Sequence, residues 1–254
     1  MSRTVTVKNV IIGEGIPKIC VPLIGATLSE LKQEAEALKE LGPDLVEWRT
    51  DFFDEVEDIE AVKSALSEIH SVIPELPLIF TFRSAKEGGE KQVSAEYYIA
   101  LNIAAAESGL ADIIDVELFN EEQDVKLLVE TAHAHNVSVI ISNHDFHGTP
   151  SQDEIISRLC KAQELGGDLP KIAVMPQNAK DVLTLLEATH LMKEQYADRP
   201  IITMSMAGAG VISRLAGELF GSALTFGAAH KPSAPGQVAV VELRKVLSLL
   251  HSSL

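Results

Sequence analysis

Eight short runs rich in β-branched and aromatic residues recur along the chain, each followed by a segment of helical periodicity. That alternation limits the fold more than any single motif does. The runs are KICVPLIG from Lys18, DLVEWR from Asp44, LIFTFR from Leu78, DIIDVEL from Asp112, SVIISNH from Ser138, PKIAVMP from Pro170, PIITMSM from Pro200 and ALTFGAA from Ala223. They begin roughly 25 to 35 residues apart, which leaves room for one helix between consecutive strands. Strands joined in this way lie parallel, because each helix returns the chain to the end from which the next strand starts. Eight such units close most economically into a (β/α)8 TIM barrel, with an open doubly wound sheet as the other arrangement of the same pieces. At 254 residues and 46% hydrophobic content, the chain is long enough to fill that barrel as a single domain over residues 1–254.

The helical segments carry their own end signals. Thr27-Leu-Ser-Glu30 spells a capping box ahead of Leu31, Ala35 and Leu38 on one stripe, and Gly42-Pro43 ends the pattern. A second helix is expected between Thr149-Pro150 and Gly166-Gly167. Before the first barrel strand, VTVKNVIIG reads as a small β-hairpin, placed to close the bottom of the barrel.

A formal charge of −16 rules against nucleic acid as a partner, since phosphate backbones are held by clustered Lys and Arg in surplus. An anionic ligand must therefore meet a local group of cations. Cys20 and Cys160 lack metal-ligand spacing and read as thiols of a reducing compartment. The N-terminal MSRTVTVKNVIIG alternates polar and apolar residues, and no run approaches the ~18 apolar residues of a membrane span. A cytoplasmic protein with no membrane partner is expected.

Barrel strands meet helices on one face and fill the lumen with the other, so charges within them stand out. In DLVEWR, Glu47 and Arg49 share one face and Val46 and Trp48 the other; a helix-facing Trp48 turns the two ions inward. Arg83 and His144 end their runs, where a barrel gathers its working side chains, and Arg214 follows strand seven near a helix start. Each has a plainer account: a Glu47–Arg49 ion pair, a solvated Arg83, a loop histidine. His144 and His147 have a metal-like spacing without a third ligand, so no metal is expected, and His133 and His135 at a helix end are expected in solvent. Lys171 opens its run, which suits a lysine snorkelling at the strand base. The alternative is a stem rising along the barrel axis into an apolar tube beside Arg49, Arg83 and Arg214. Burial and like charge would there favour the neutral amine needed to attack a ketone.

These residues sit in blocks that resemble the type I 3-dehydroquinate dehydratases across essentially the whole chain. The blocks are EWR at Glu47–Arg49, TFRSAKEGGE from Thr81, SNHDFH from Ser142, PKIAVMP from Pro170, ITMSM from Ile202, GVISRLAGE from Gly210 and SAPGQ at Ser233–Gln237. The resemblance implies a homodimeric (β/α)8 barrel that converts 3-dehydroquinate to 3-dehydroshikimate without metal or cofactor. It implies Lys171 as the imine-forming lysine, His144 as general acid and base, and Glu87 as the group orienting the imidazole. It further implies Arg214 as a carboxylate clamp, with Glu47, Arg49, Arg83, Ser233 and Gln237 on the ring hydroxyls, Met206 packed against the ring, and a lid from Phe226 to Gln237. Pro22 stands where some members have serine, so no contact is expected there, and Gly208-Ala209 is smaller than its counterpart. Two other functions fit part of the pattern: a class I aldolase, with Gly208 and Gly210 as a phosphate cradle, and a non-catalytic carboxylate-binding barrel. The first lacks a fuller glycine-rich fingerprint, and the second has no use for Lys171, His144 and Glu87 together.

Overall fold

The computed structural model describes residues 3–229 and 236–254. The chain opens with β1 (Val5–Val7) and β2 (Val10–Ile12), an antiparallel hairpin. Eight parallel strands follow: β3 (Lys18–Leu23), β4 (Leu45–Arg49), β5 (Leu78–Thr81), β6 (Ile113–Glu117), β7 (Ser138–Asp145), β8 (Leu169–Val174), β9 (Ile202–Ser205) and β10 (Leu224–Ala228). Each of the eight expected runs supplies one of them. The curled sheet closes where β10 pairs with β3, and where an Ile201–Ser222 bridge and an Ala223 N–H to Ile201 carbonyl bond of 2.8 Å join its other edge to the segment before β10. A short β11 (Val238–Ala239), not foreseen from sequence, pairs with the end of β10 and makes a ninth strand.

The outer ring begins with α1 (Leu28–Leu41), α2 (Ile59–Val72), α3 (Ala95–Glu107), α4 (Glu122–Ala134), α5 (Gln152–Glu164) and α6 (Ala179–Leu191). It ends with the short α7 (Val211–Leu215) and α8 (Gly217–Phe220), then α9 (Val240–His251). The α1 capping box is formed: Thr27 accepts from the Glu30 N–H, Glu30 accepts from the Thr27 N–H, and Gly42 ends the helix at φ 58°. Leu31, Ala35 and Leu38 are buried. The fifth helix starts later than Thr149-Pro150 suggested, because Ser151 caps it by accepting from the Glu154 N–H.

Two apolar layers follow from the alternation of side chains along the strands. Val46, Trp48 and Phe80 face the helices, where the Trp48 ring meets Phe53 and Phe80 edge-on at 5.8 and 5.7 Å. Inside, Cys20, Leu45, Ile79, Ile113, Ile140, Leu169, Ile202 and Leu224 fill the barrel near the strand starts, and Val5, Val7 and Ile12 of the hairpin pack against them from below. The bottom is thus closed by apolar contact, and the lumen above is left to charged side chains. Among the described residues, no helix is long and apolar enough to cross a membrane. His133 and His135 are exposed, as expected.

Candidate active site

Above the apolar floor, the strand ends enclose about 640 Å³ of atom-free space, its mouth to solvent included. Lys171, His144, Glu87, Glu47, Arg49, Arg83, Arg214, Met206 and Gln237 all line it, so the structure brings together nine of the ten residues singled out from sequence. Ser233 lies outside the described residues, together with the rest of 230–235, half of the expected lid. The lid's first three residues, Phe226 to Ala228, belong to β10.

Lys171 corrects two expectations. It does not start its strand: it is the third residue of β8, level with Ser142 on β7 and Ile202 on β9, so its stem begins at mid-height in the barrel. Nor is its surrounding mostly apolar: Arg49, Arg83 and Arg214 do line the same cavity, but the polar groups nearest Nζ are carboxylates. Nζ donates to Asp115 Oδ2 at 3.0 Å, lies 3.7 Å from Glu47 Oε1 and sits 4.6 Å from the centre of the Phe226 ring. The lysine is buried.

His144, near the end of β7, faces Glu87 from the 3₁₀ turn after β5. Glu87 Oε2 receives the His144 backbone N–H at 2.9 Å and lies 2.9 Å from Nδ1, while Oε1 takes an N–H of Asn143 at 3.3 Å. Burial pushes the Glu87 carboxyl up to about 8, against the pull of Arg83, with Glu117 pushing the same way as burial. Burial, then the charges of Arg83 and Lys171, hold the imidazole well below its ordinary value. The pair therefore resists holding two full charges near neutral pH. When Glu87 is ionised it accepts the Nδ1 proton and leaves the Nε2 lone pair available, the tautomer a general base requires.

The cations are held by carboxylates that sequence reasoning passed over. Arg49 is not paired with Glu47: its Nε and Nη2 each bond Asp51 at 2.8 Å, and Glu47 accepts from Thr81 Oγ1 at 3.0 Å. Arg83, buried rather than solvated, donates to Asp115 at 2.7 Å, Glu117 at 2.9 Å and Ser142 at 3.0 Å. Burial alone would raise Asp115, but Arg83 and Lys171 outweigh it and hold that carboxyl well below the usual carboxylate range. Arg214 is the fourth residue of the five-residue α7, with Nη1 3.5 Å from the Phe226 carbonyl; burial lowers its guanidinium to about 10. Asp115 and Glu117 carried the same signal as Glu47 and Arg49, charges two apart within a barrel strand. Asp51 carried none, because it follows β4 in a 3₁₀ turn where strand alternation no longer applies.

Residues 19–253 match the model of the type I 3-dehydroquinase family. The chain belongs to that family. It is 62% identical to a 3-dehydroquinate dehydratase of Bacillus licheniformis over all of both chains. It is 63% identical to one from Listeria welshimeri over 97% of this chain and 98% of that one. A crystal structure of the type I 3-dehydroquinate dehydratase of Clostridium difficile, with covalently modified comenic acid, superposes over the whole of both chains with a TM-score of 0.98 at 60% identity. The barrel itself reaches further than the family: 3-hexulose-6-phosphate synthase shares it with a TM-score of 0.61 at 15% identity, a likeness of fold alone. In this type I 3-dehydroquinase, the lysine among carboxylates and the histidine–glutamate pair line one cavity.

Proposed function

We propose that Lys171, His144 and Glu87 perform the dehydration of 3-dehydroquinate to 3-dehydroshikimate on this chain. That activity, a hydro-lyase step of the shikimate pathway and so of aromatic amino acid biosynthesis, goes with membership of the family, which works through a Schiff base. It displaces the aldolase reading. The observation supporting the assignment is that Lys171 and the His144–Glu87 pair, from different strands, line one cavity.

The chemistry follows from those groups. The Lys171 amine adds its lone pair to the ketone carbon, and loss of water leaves an iminium. His144 Nε2 takes a proton from the adjacent carbon, whose bonding electrons move to the iminium nitrogen to give an enamine. Those electrons return as the β-hydroxyl leaves, protonated by His144, and water then hydrolyses the conjugated iminium to release enone and free lysine. Glu87 holds the ring orientation and tautomer throughout. Arg214 binds the substrate carboxylate, Arg49, Glu47, Arg83, Gln237 and Ser233 serve the hydroxyls, and Met206 packs on the ring. No metal or cofactor enters these steps.

Borohydride reduction during turnover tests the division of roles. Lys171→Ala should give no adduct by mass spectrometry, and His144→Ala should still be trapped while losing roughly 10²- to 10⁴-fold in turnover. Equal loss of trapping in both variants would refute the separation. A homodimer is the assembly proposed; exposed Leu183, Ile212, Leu219 and Leu249 on α6 to α9 offer it apolar surface, and sedimentation would read it.

A further inference from the structure

The geometry points to Asp115 as the fixed counter-ion of the iminium that forms at Lys171, a role resting on the Schiff-base assignment above. Asp115 is wholly buried on β6, and its two oxygens divide their work. Oδ1 receives Arg83 Nη2 at 2.7 Å and Ser142 Oγ at 2.6 Å; Oδ2 receives Lys171 Nζ at 3.0 Å. The carboxylate is thus pinned from one side by two donors, Arg83 just after β5 and Ser142 on β7, and presents its other oxygen to the reacting nitrogen. Glu47, the other acid near that nitrogen, stands back at 3.7 Å and accepts from Thr81 instead.

The reaction places a positive charge on this nitrogen in the iminium and removes it in the enamine. A carboxylate held 3.0 Å away and fixed by Arg83 and Ser142 favours the charged iminium, both as it first forms and as it returns when the hydroxyl leaves. It has a second effect: the imine is an electron sink only while it keeps its proton, and a neighbouring negative charge helps it do so. The proton stays on the nitrogen and no transfer to Asp115 is required. Among the described residues, the other charged and titratable groups around the pair are Arg83, Glu47, Glu117, Glu87, His144, Tyr98 and Cys20, with Arg49 and Arg214 lining the same cavity, and none of these is hydrogen-bonded to Nζ.

Asp115→Asn keeps the shape and removes the charge. It should still be trapped by borohydride at Lys171, yet lose about 10²- to 10³-fold in kcat, the size typical of removing one preorganised electrostatic partner. The loss should deepen as pH rises, because an imine without its counter-ion gives up its proton sooner, so the alkaline limb of kcat moves to lower pH. A loss equal at every pH, or one confined to KM, would overturn the proposal. Should the variant not fold, the crystal structure of the borohydride-reduced wild-type adduct decides, since its secondary ammonium stands in for the iminium. Nζ within about 3.2 Å of Asp115 supports the role, and displacement beyond hydrogen-bonding reach refutes it. Failure of the Schiff-base assignment would show separately, as trapping that survives Lys171→Ala.

Discussion

In the proposed mechanism Glu87 sets how strong a base His144 can be, because an ionised carboxylate is the better acceptor for the Nδ1 proton and stabilises the charge that the imidazole gains. Burial raises that carboxyl to about 8, so kcat/KM should climb with pH through this region in the wild type. Glu87→Gln, which cannot ionise, should lose that limb and drop kcat by roughly tenfold or more, less than the 10²- to 10⁴-fold expected for His144→Ala. Initial rates across pH would read both effects. Arg214 makes a second case. Even lowered to about 10, its guanidinium stays charged at neutral pH, so Arg214→Ala should weaken carboxylated ring analogues by roughly 1.5–3 kcal/mol and spare the same ring without its carboxylate. Calorimetric titration of the two analogues separates a clamp from a packing residue. Lys171, His144 and the arginines were legible because charge inside a β-rich run violates the apolar pattern. The contact between Glu87 and His144 was not: the two lie 57 residues apart, and only the sheet register brings the turn after β5 to the end of β7.

At the level of elements, the loop between β5 and α3 carries both Arg83 and Glu87 and brings Glu87 beside His144, and its glycines show how tightly it is folded. Gly88 adopts φ 83°, and a side chain there would enter the Phe146 ring. Gly89 has no room either, since its missing Cβ would overlap the Arg83 backbone carbonyl, and its N–H bonds the Ser84 carbonyl at 2.9 Å. Backbone cannot step aside as a flexible side chain can. Gly89→Ala should therefore cost about 1–3 kcal/mol in denaturant unfolding and lower kcat with it, by displacing Glu87. A stable variant with full activity would show that the loop tolerates the shift. This turn and the short β11 left no mark in the periodicity, whereas the eight strands and the α1 capping box did. Period and cap chemistry are local properties of the sequence; a two-residue strand exists only because β10 offers it an edge.

Across the whole molecule, a barrel that closes its floor with apolar side chains and fills its upper lumen with ions makes its stability depend on pH in two opposed ways. Asp115 is held low by Arg83 and Lys171, so its contribution is complete above about pH 4 and is lost as pH falls. His144, also depressed, adds to that acid loss: the unfolded chain gains a proton below about pH 6.5 that the folded chain refuses. Glu87 runs the other way. Its folded value of about 8 lies above the unfolded ~4.3, so the folded state binds more protons between the two and loses stability as pH rises through that window. Self-repulsion of a chain with formal charge −16 works in the same direction on the alkaline side, but it belongs to the surface and salt screens it. The buried term is screened far less. Melting curves from pH 5 to 8.5 in high salt should still decline toward alkaline pH in the wild type, and Glu87→Gln should flatten that decline, while the Asp115 loss, which lies below about pH 4, falls outside this range. An equal alkaline decline in both proteins would place the effect on the surface and remove Glu87 from it.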